Sequence, residues 1–211
     1  MSVYPLVLGT RNEKKRLELE QLLSPYGFEL RTLDECERSV EVEETGQSFA
    51  ENAALKASQQ ARATGNWVLG EDSGLAVDAL DGAPGIRSAR FAGDAATDEE
   101  NNDRLLEALR GVPTERRGAM YVCHLSLANP GGEIRLSAEA TCRGRIGAER
   151  RGAHGFGYDP LFIIPEYHRT FGELGPVVKS ALSHRSRAMR IFLPRILALR
   201  DEWTTATDGD G

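Results

Sequence analysis

Ala119-Met120-Tyr121-Val122-Cys123-His124-Leu125-Ser126-Leu127-Ala128-Asn129 is followed by Pro130-Gly131-Gly132 and then by Glu133-Ile134-Arg135-Leu136-Ser137-Ala138-Glu139-Ala140-Thr141-Cys142-Arg143. In the second run Ile134, Leu136, Ala138, Ala140 and Cys142 alternate with polar residues. That period of two puts one face inward and one outward in an extended chain. Pro-Gly-Gly cannot continue a strand and readily turns. The segment therefore predicts a β-hairpin. A hairpin fixes two antiparallel neighbours, so any sheet that also takes parallel strands must be mixed.

Working outward, the flanks alternate strand and helix patterns. Leu6-Val7-Leu8 reads as a short buried strand, with a polar turn over Gly9-Thr10-Arg11-Asn12. A helix to about Leu23 carries Leu19, Leu22 and Leu23 on its apolar side, and Pro25 and Gly27 end it. Phe28 to Leu33 is a second strand and Glu41 to Thr45 an acidic loop. Ser48 caps a helix to about Ala63, with Glu51 at the capping-box position. Ser48, Asn52 and Lys56 share one face of it. Trp67 to Gly70 reads as a strand that turns at Glu71-Asp72-Ser73-Gly74, and Leu75 to Leu80 as extended. Asp81 to Gly93 is a glycine- and proline-bearing loop, and Asp98 to Arg110 a helix. Leu161 to Ile164 is a strand. A last helix from about His184 to Trp203 buries Ala188, Met189, Phe192, Ile196 and Leu199, with a kink expected at Pro194. The whole predicts an α/β fold with a mixed sheet.

The 211 residues suit one domain over residues 1–203, with a polar tail at 204–211 expected to be disordered. A net charge of −6 argues against a nucleic-acid polymer as partner. No apolar run approaches the roughly 20 residues that cross a bilayer, and the N-terminus lacks a signal-peptide pattern. Cys36, Cys123 and Cys142 form no close pair, so neither a disulfide framework nor a zinc site is suggested. A reducing cytoplasm is the expected setting.

Three stretches carry chemistry. Thr10-Arg11-Asn12-Glu13-Lys14-Lys15 lies between a strand and a helix. Helix N-termini present N–H groups and partial positive charge to anions, so phosphate binding and a plain helix cap are both open. Glu43-Glu44 and Glu71-Asp72 offer carboxylates that suit Mg²⁺ or the activation of water, or are ordinary acidic loops. Asp72 is the stronger single residue, since strand ends are where sites form in α/β sheets. Lys179-Ser180-Ala181-Leu182-Ser183-His184-Arg185 gathers two cations and an imidazole at a helix start, suited to phosphate or a purine edge. His154-Gly155-Phe156-Gly157-Tyr158-Asp159-Pro160 combines flexible backbone, two aromatic rings and a carboxylate, as a base pocket or a structural loop would. Neither Gly-x-Gly-x-x-Gly nor Gly-x-Ser-x-Gly occurs, which removes the main sequence support for dinucleotide oxidoreductases and α/β-hydrolases.

Taken in order, these stretches resemble the inosine triphosphate pyrophosphatase family, also called the Ham1 family. The resemblance rests on Leu8 to Lys15, Glu43 to Ala53, Glu71 to Asp78, Gly82 to Phe91, Gly155 to Pro160 and Lys179 to Arg185, and it spans Leu6 to about Leu199. It implies an elongated α/β fold with two lobes around a cleft, usually as a homodimer. It implies Mg²⁺-dependent hydrolysis of ITP, dITP and XTP to monophosphate and pyrophosphate. Thr10, Arg11, Asn12, Glu13, Lys14, Lys15 and Lys56 match residues that hold the triphosphate. Asp72 matches the general base and a metal carboxylate, with Ser73 beside it on the substrate. Glu43 matches the other metal carboxylate, with Glu44 one residue away. Phe156, Gly157, Tyr158 and Asp159 match the base pocket, with Phe156 as stacking ring and Asp159 as base-edge acceptor. Lys179, His184 and Arg185 match contacts to the base and nearby groups. Arg11 and Lys14 stand where glycine is common, and Glu71 where aspartate is. Two other readings are a Maf-like pyrophosphatase of modified nucleotides and a nucleotide-binding module without hydrolysis.

Overall fold

The computed structural model describes residues 4–203. Its elements are β1 (Tyr4–Leu8), α1 (Glu13–Leu23), β2 (Phe28–Thr32), α2 (Phe49–Thr64), β3 (Val68–Val77), α3 (Asp98–Ala108), β4 (Gly118–Ala128), β5 (Ile134–Ile146), β6 (Phe162–Ile164), β7 (Arg169–Thr170), α4 (Phe171–Leu182), α5 (His184–Ala198) and α6 (Arg200–Trp203). The strands form one seven-stranded sheet in the order β2-β1-β3-β4-β5-β6-β7. β1 pairs parallel with β2, Leu6 opposite Leu30, and with β3, Val7 opposite Val68. β6 pairs antiparallel with β5 and β7. The sheet is mixed and the fold α/β, as the hairpin required. The turn closes by Asn129 N–H donating to Glu133 O at 3.0 Å and Gly132 N–H to Asn129 O at 2.7 Å. Leu136, Ala138 and Cys142 are buried as the alternation demands, whereas Ile134 at the strand start is exposed.

Packing divides the chain into two compact units. The first holds the described chain up to Asp72, His124–Glu139, and Ala188 onward; the second holds Ser73–Cys123 and Ala140–Arg187. The first unit has a core of Val7, Leu33, Ala57, Ala61, Val68 and Ala128. There α2 approaches β3 closely. A Cβ on Gly70 would meet Ala53 O at 2.3 Å and Ala57 N at 2.7 Å, so glycine and small alanines set that spacing. Trp203 in α6 stacks on Trp67, ring centroids 4.3 Å apart, and its Nε1–H donates to Pro5 O at 3.0 Å. The second unit's core includes Leu75, Leu105, Leu109, Tyr121, Ile146, Tyr158, Phe162 and Phe171.

Four local expectations change. β3 does not turn at Glu71-Asp72-Ser73-Gly74 but runs on to Val77. Charge in a strand ordinarily signals an end; here Glu71 and Asp72 are buried against lysines and the strand continues. Helix α4 had no sequence counterpart, and it contains Pro176 and a Gly175 with φ +75. Its start is nevertheless marked by a capping box, Glu173 N–H donating to Thr170 Oγ1 at 3.1 Å and Thr170 N–H to Glu173 Oε2 at 2.9 Å. α5 runs through Pro194 and the interruption falls at Leu199. Pro194 is exposed while Ala188, Met189, Phe192 and Ile196 anchor the buried side. Ser48 caps α2 by accepting from Glu51 N–H at 3.1 Å, but the Glu51 carboxylate accepts from Gln47 N–H at 2.7 Å instead of closing the box on Ser48. The tail at 204–211 lies outside the described residues.

Candidate functional site

Two clusters gather the residues singled out by sequence, one in each unit. The first is built on α1, α2 and β3. The tight α2–β3 approach at Gly70 brings Lys56 over the end of the first unit's share of β3. Lys56 Nζ donates to Asp72 Oδ1 at 2.8 Å and to Glu71 O at 3.3 Å, and pairs with Glu44 Oε1 at 3.0 Å. Asn52 Nδ2 approaches Asp72 Oδ2 at 3.5 Å. Lys15 Nζ pairs with Glu71 Oε2 at 3.4 Å. Burial raises the Asp72 carboxyl above its usual range, against the pull of Lys56 and Lys15 in the opposite direction. For Lys56 burial alone would lower the pKa, but the charges of Asp72 and Glu44 outweigh it and hold it above the ordinary lysine value.

The turn before α1 is a cap. Asn12 Oδ1 accepts from Lys15 N–H at 3.1 Å and Thr10 Oγ1 from Asn12 N–H at 3.2 Å. Glu13 lies 3.8 Å from Arg16 within the helix, and Lys14 is exposed. Arg11 reaches away from the lysine and carboxylate group: its guanidinium donates to Asp34 Oδ1 at 3.1 Å and Ser39 Oγ at 3.4 Å. The carboxylate brought to Lys56 is Glu44; Glu43, the residue first singled out, is exposed. Adjacent carboxylates in a loop cannot be ranked from sequence alone, because which one faces α2 depends on the loop's path. Asn52 was on the right helix face but carried no chemical signal of its own.

The second cluster is built on the 155–159 loop, β4, α4 and the start of α5. Gly155 has φ +80, and a Cβ there would lie 2.0 Å from Asp159 Oδ2. Only glycine permits this tight loop. Asp159 is buried and its oxygens serve the protein itself. Oδ2 accepts from Phe156 N–H at 2.8 Å and from Lys179 Nζ at 2.6 Å, and Oδ1 accepts from Tyr121 O–H at 3.3 Å. These bonds clamp the loop that was expected to meet the base. Tyr158 is buried in the core with its O–H donating to Ser88 O at 2.8 Å, so the half-buried Phe156 is the loop's accessible ring. Lys179 Nζ sits 4.1 Å from the Phe156 ring centroid. His184 stacks on Tyr121 at 4.7 Å and 12°. Burial first, and then the Asp159 charge, push the Tyr121 phenol well above its ordinary pKa, keeping it a neutral donor. Arg185 is fully buried and donates to Ser73 Oγ at 3.1 Å. Tyr121, Asp98 and Asn102, which complete this cluster, were missed. Buried on a strand or capping a helix, they resemble core and cap residues in sequence.

Among the described residues, no group of three or more His, Cys, Asp or Glu is arranged to hold a metal ion, and no helix is long and apolar enough to cross a membrane. The donor set can be tested against a hard cation all the same. Asp72 and Glu44 bring two carboxylates to one lysine. Mg²⁺ commonly takes one or two carboxylates and completes its shell with water and substrate phosphates, so these residues fit it.

A family model described as the Ham1 family matches residues 6–195. A protein of Rhodopirellula baltica named dITP/XTP pyrophosphatase is 55% identical over 93% of this chain and 95% of its own length. One of the same name from Exiguobacterium sibiricum is 48% identical over 88% of this chain and 93% of its own. The solved structure of a HAM1 protein from Coxiella burnetii superposes with a TM-score of 0.84 at 38% identity, covering 92% of this chain and 98% of that one.

Proposed function

Since the chain belongs to the Ham1 family, we propose that it hydrolyses the non-standard purine triphosphates ITP, dITP and XTP to the monophosphate and pyrophosphate. It is a hydrolase of a phosphoric anhydride bond. The observation that carries the mechanism is the buried Asp72, its pKa raised by desolvation, sharing Lys56 with Glu44. A carboxylate so placed can accept a proton from the water that attacks the α-phosphorus. Lys56 and Lys15 are positioned to take up charge that develops on the phosphate oxygens. The N-terminal turn of α1, over Thr10 to Lys15, receives the rest of the triphosphate. Mg²⁺ held by Asp72 and by Glu44, in the place first given to Glu43, would polarise the phosphate oxygens when bound.

Base recognition falls to the second cluster. Phe156 offers a stacking face, and Ser73, Lys179, His184 and Arg185 supply polar contacts to the base and its neighbouring groups. A buried guanidinium prefers a purine carrying oxygen at position 6. An amino group at that position leaves a donor without an acceptor, a loss of about 1–3 kcal/mol. A homodimer in the cytoplasm is the assembly and setting that the family resemblance supports.

The test is pyrophosphate release with Mg²⁺ across ITP, XTP, GTP, ATP and dUTP. Preference for ITP and XTP is expected. Preference for dUTP or a methylated nucleotide would instead place the chain with Maf-like enzymes, and binding without release would make it a sensor.

A further inference from the structure

We propose that the first turn of α3 is a positioning element for base recognition, acting through Asp98 and Asn102 on the peptide of Gly157. The proposal rests on the reading of Phe156 as the stacking ring. Gly157 is held on both sides: its N–H donates to Asp98 Oδ2 at 2.9 Å, and its carbonyl accepts from Asn102 Nδ2 at 2.8 Å. Asp98 and Asn102 are four residues apart on one face of α3, so a single helical turn delivers both grips. Phe156 N–H is taken in turn by Asp159 Oδ2 at 2.8 Å. The backbone on either side of the Phe156 side chain is therefore fixed by carboxylates from two different elements.

This loop needs external restraint. Gly155 has φ +80 and Gly157 φ +58, and glycine loses the most conformational freedom on ordering. Gly157 has no neighbour within 4 Å of where a Cβ would stand, so packing does not hold it from that side. Hydrogen bonds from α3 supply the restraint.

Asn102 makes its grip from a buried position. Its side chain is 2% exposed. Nδ2 donates to both Asp98 O and Gly157 O, while Oδ1 is buried without a hydrogen-bond partner. A buried orphan acceptor is costly and rare in native proteins. An apolar side chain in this space would supply neither donor. The amide nitrogen serves both carbonyls, and the bond to Gly157 O fixes the loop that carries the ring.

The experiment is steady-state pyrophosphate release from ITP by Asn102→Ala, Asp98→Ala, Asp98→Asn and Phe156→Ala, with thermal midpoints measured alongside. Asn102→Ala and Asp98→Ala are expected to raise KM about 5–20-fold, the scale of one or two lost hydrogen bonds, with kcat within about twofold. Asp98→Asn keeps an acceptor for Gly157 N–H and is expected to restore KM to within about twofold of the unmodified protein. An unchanged KM in both alanine variants, with Phe156→Ala raising it, overturns the proposal and leaves the stacking reading intact. An unchanged KM in Phe156→Ala overturns the stacking reading itself. A loss of kcat in step with a lowered thermal midpoint means α3 merely supports the fold, which also overturns the proposal. Should Asn102→Ala fail to fold, the Asp98 pair decides alone.

Discussion

Asp72 and Asp159 are both buried aspartates that bond a lysine, yet they live in different electrostatic settings. Asp72 is gripped by Lys56 and by a long contact from Asn52, and burial leaves its carboxyl with a raised affinity for protons. Asp159 accepts from a backbone N–H, a lysine and a phenol, and its partners hold a glycine loop in shape. The first arrangement sets a carboxylate beside lysines from two helices; the second uses one to hold a loop. Residue type and burial alone would have given them the same role. The partners distinguish them: a lysine and a side-chain amide at Asp72, and a lysine, a phenol and a backbone N–H at Asp159.

The largest effect that could break this contrast is on turnover. Asp72→Asn is expected to lower kcat for ITP by roughly 10²–10⁴-fold while leaving KM nearly unchanged. Near-normal turnover would remove Asp72 from the chemistry. At the other cluster, Phe156→Ala is expected to raise KM by roughly 10–100-fold through the loss of base stacking, with a smaller change in kcat. If both variants changed kcat and KM alike, the division of labour between the clusters would fail. Gly70→Ala sharpens the first half of the comparison. A methyl there collides with the backbone of α2 at Ala53 and Ala57. Overpacking of this kind costs about 1–3 kcal/mol, read from denaturant midpoints, and it should displace Lys56 from Asp72 and lower kcat with stability.

The smallest effect concerns acid. Glu100 and Glu173, which close the capping boxes of α3 and α4 in the second unit, have pKa values lowered from 4.5, chiefly by hydrogen bonds from Thr97 and Thr170 N–H. Their contribution is full above the unfolded value and is lost as pH falls through the lowered folded value, because the unfolded chain binds those protons first. The double variant Glu100→Gln, Glu173→Gln should flatten the fall in thermal midpoint below about pH 4.5. Glu35 makes the corresponding cap in the first unit and should leave the second unit's response untouched when replaced.

Much of this was readable before any coordinates. The alternation from Ile134 to Cys142 required a hairpin, and the strand and helix patterns around it required a mixed α/β sheet. The motif order pointed to the family, and Lys56 and Asp72 did come together. What escaped was whatever depended on partners distant in sequence. Charge at Glu71-Asp72 looked like a strand end because the lysines that accommodate it come from α1 and α2. Helix α4 is the exception: its Thr170–Glu173 capping box is a local signal that went unread. That Glu44 and not Glu43 pairs with Lys56 depends on a loop path, and the contacts of Asp159, Asp98 and Asn102 depend on which backbone groups lie opposite. Periodicity reports which face is buried; it does not report which polar group waits on the other side.

The Trp67–Trp203 stack has a practical consequence. The chain has two tryptophans, and both belong to the first unit. Indole emission is therefore a private reporter of that unit. Amide hydrogen exchange at the buried Tyr121 and Tyr158 reports on the second unit. Following both signals through one denaturant titration asks directly whether the halves melt together. Coincident transitions would mean a single cooperative fold, and separated ones would show which half lets go first.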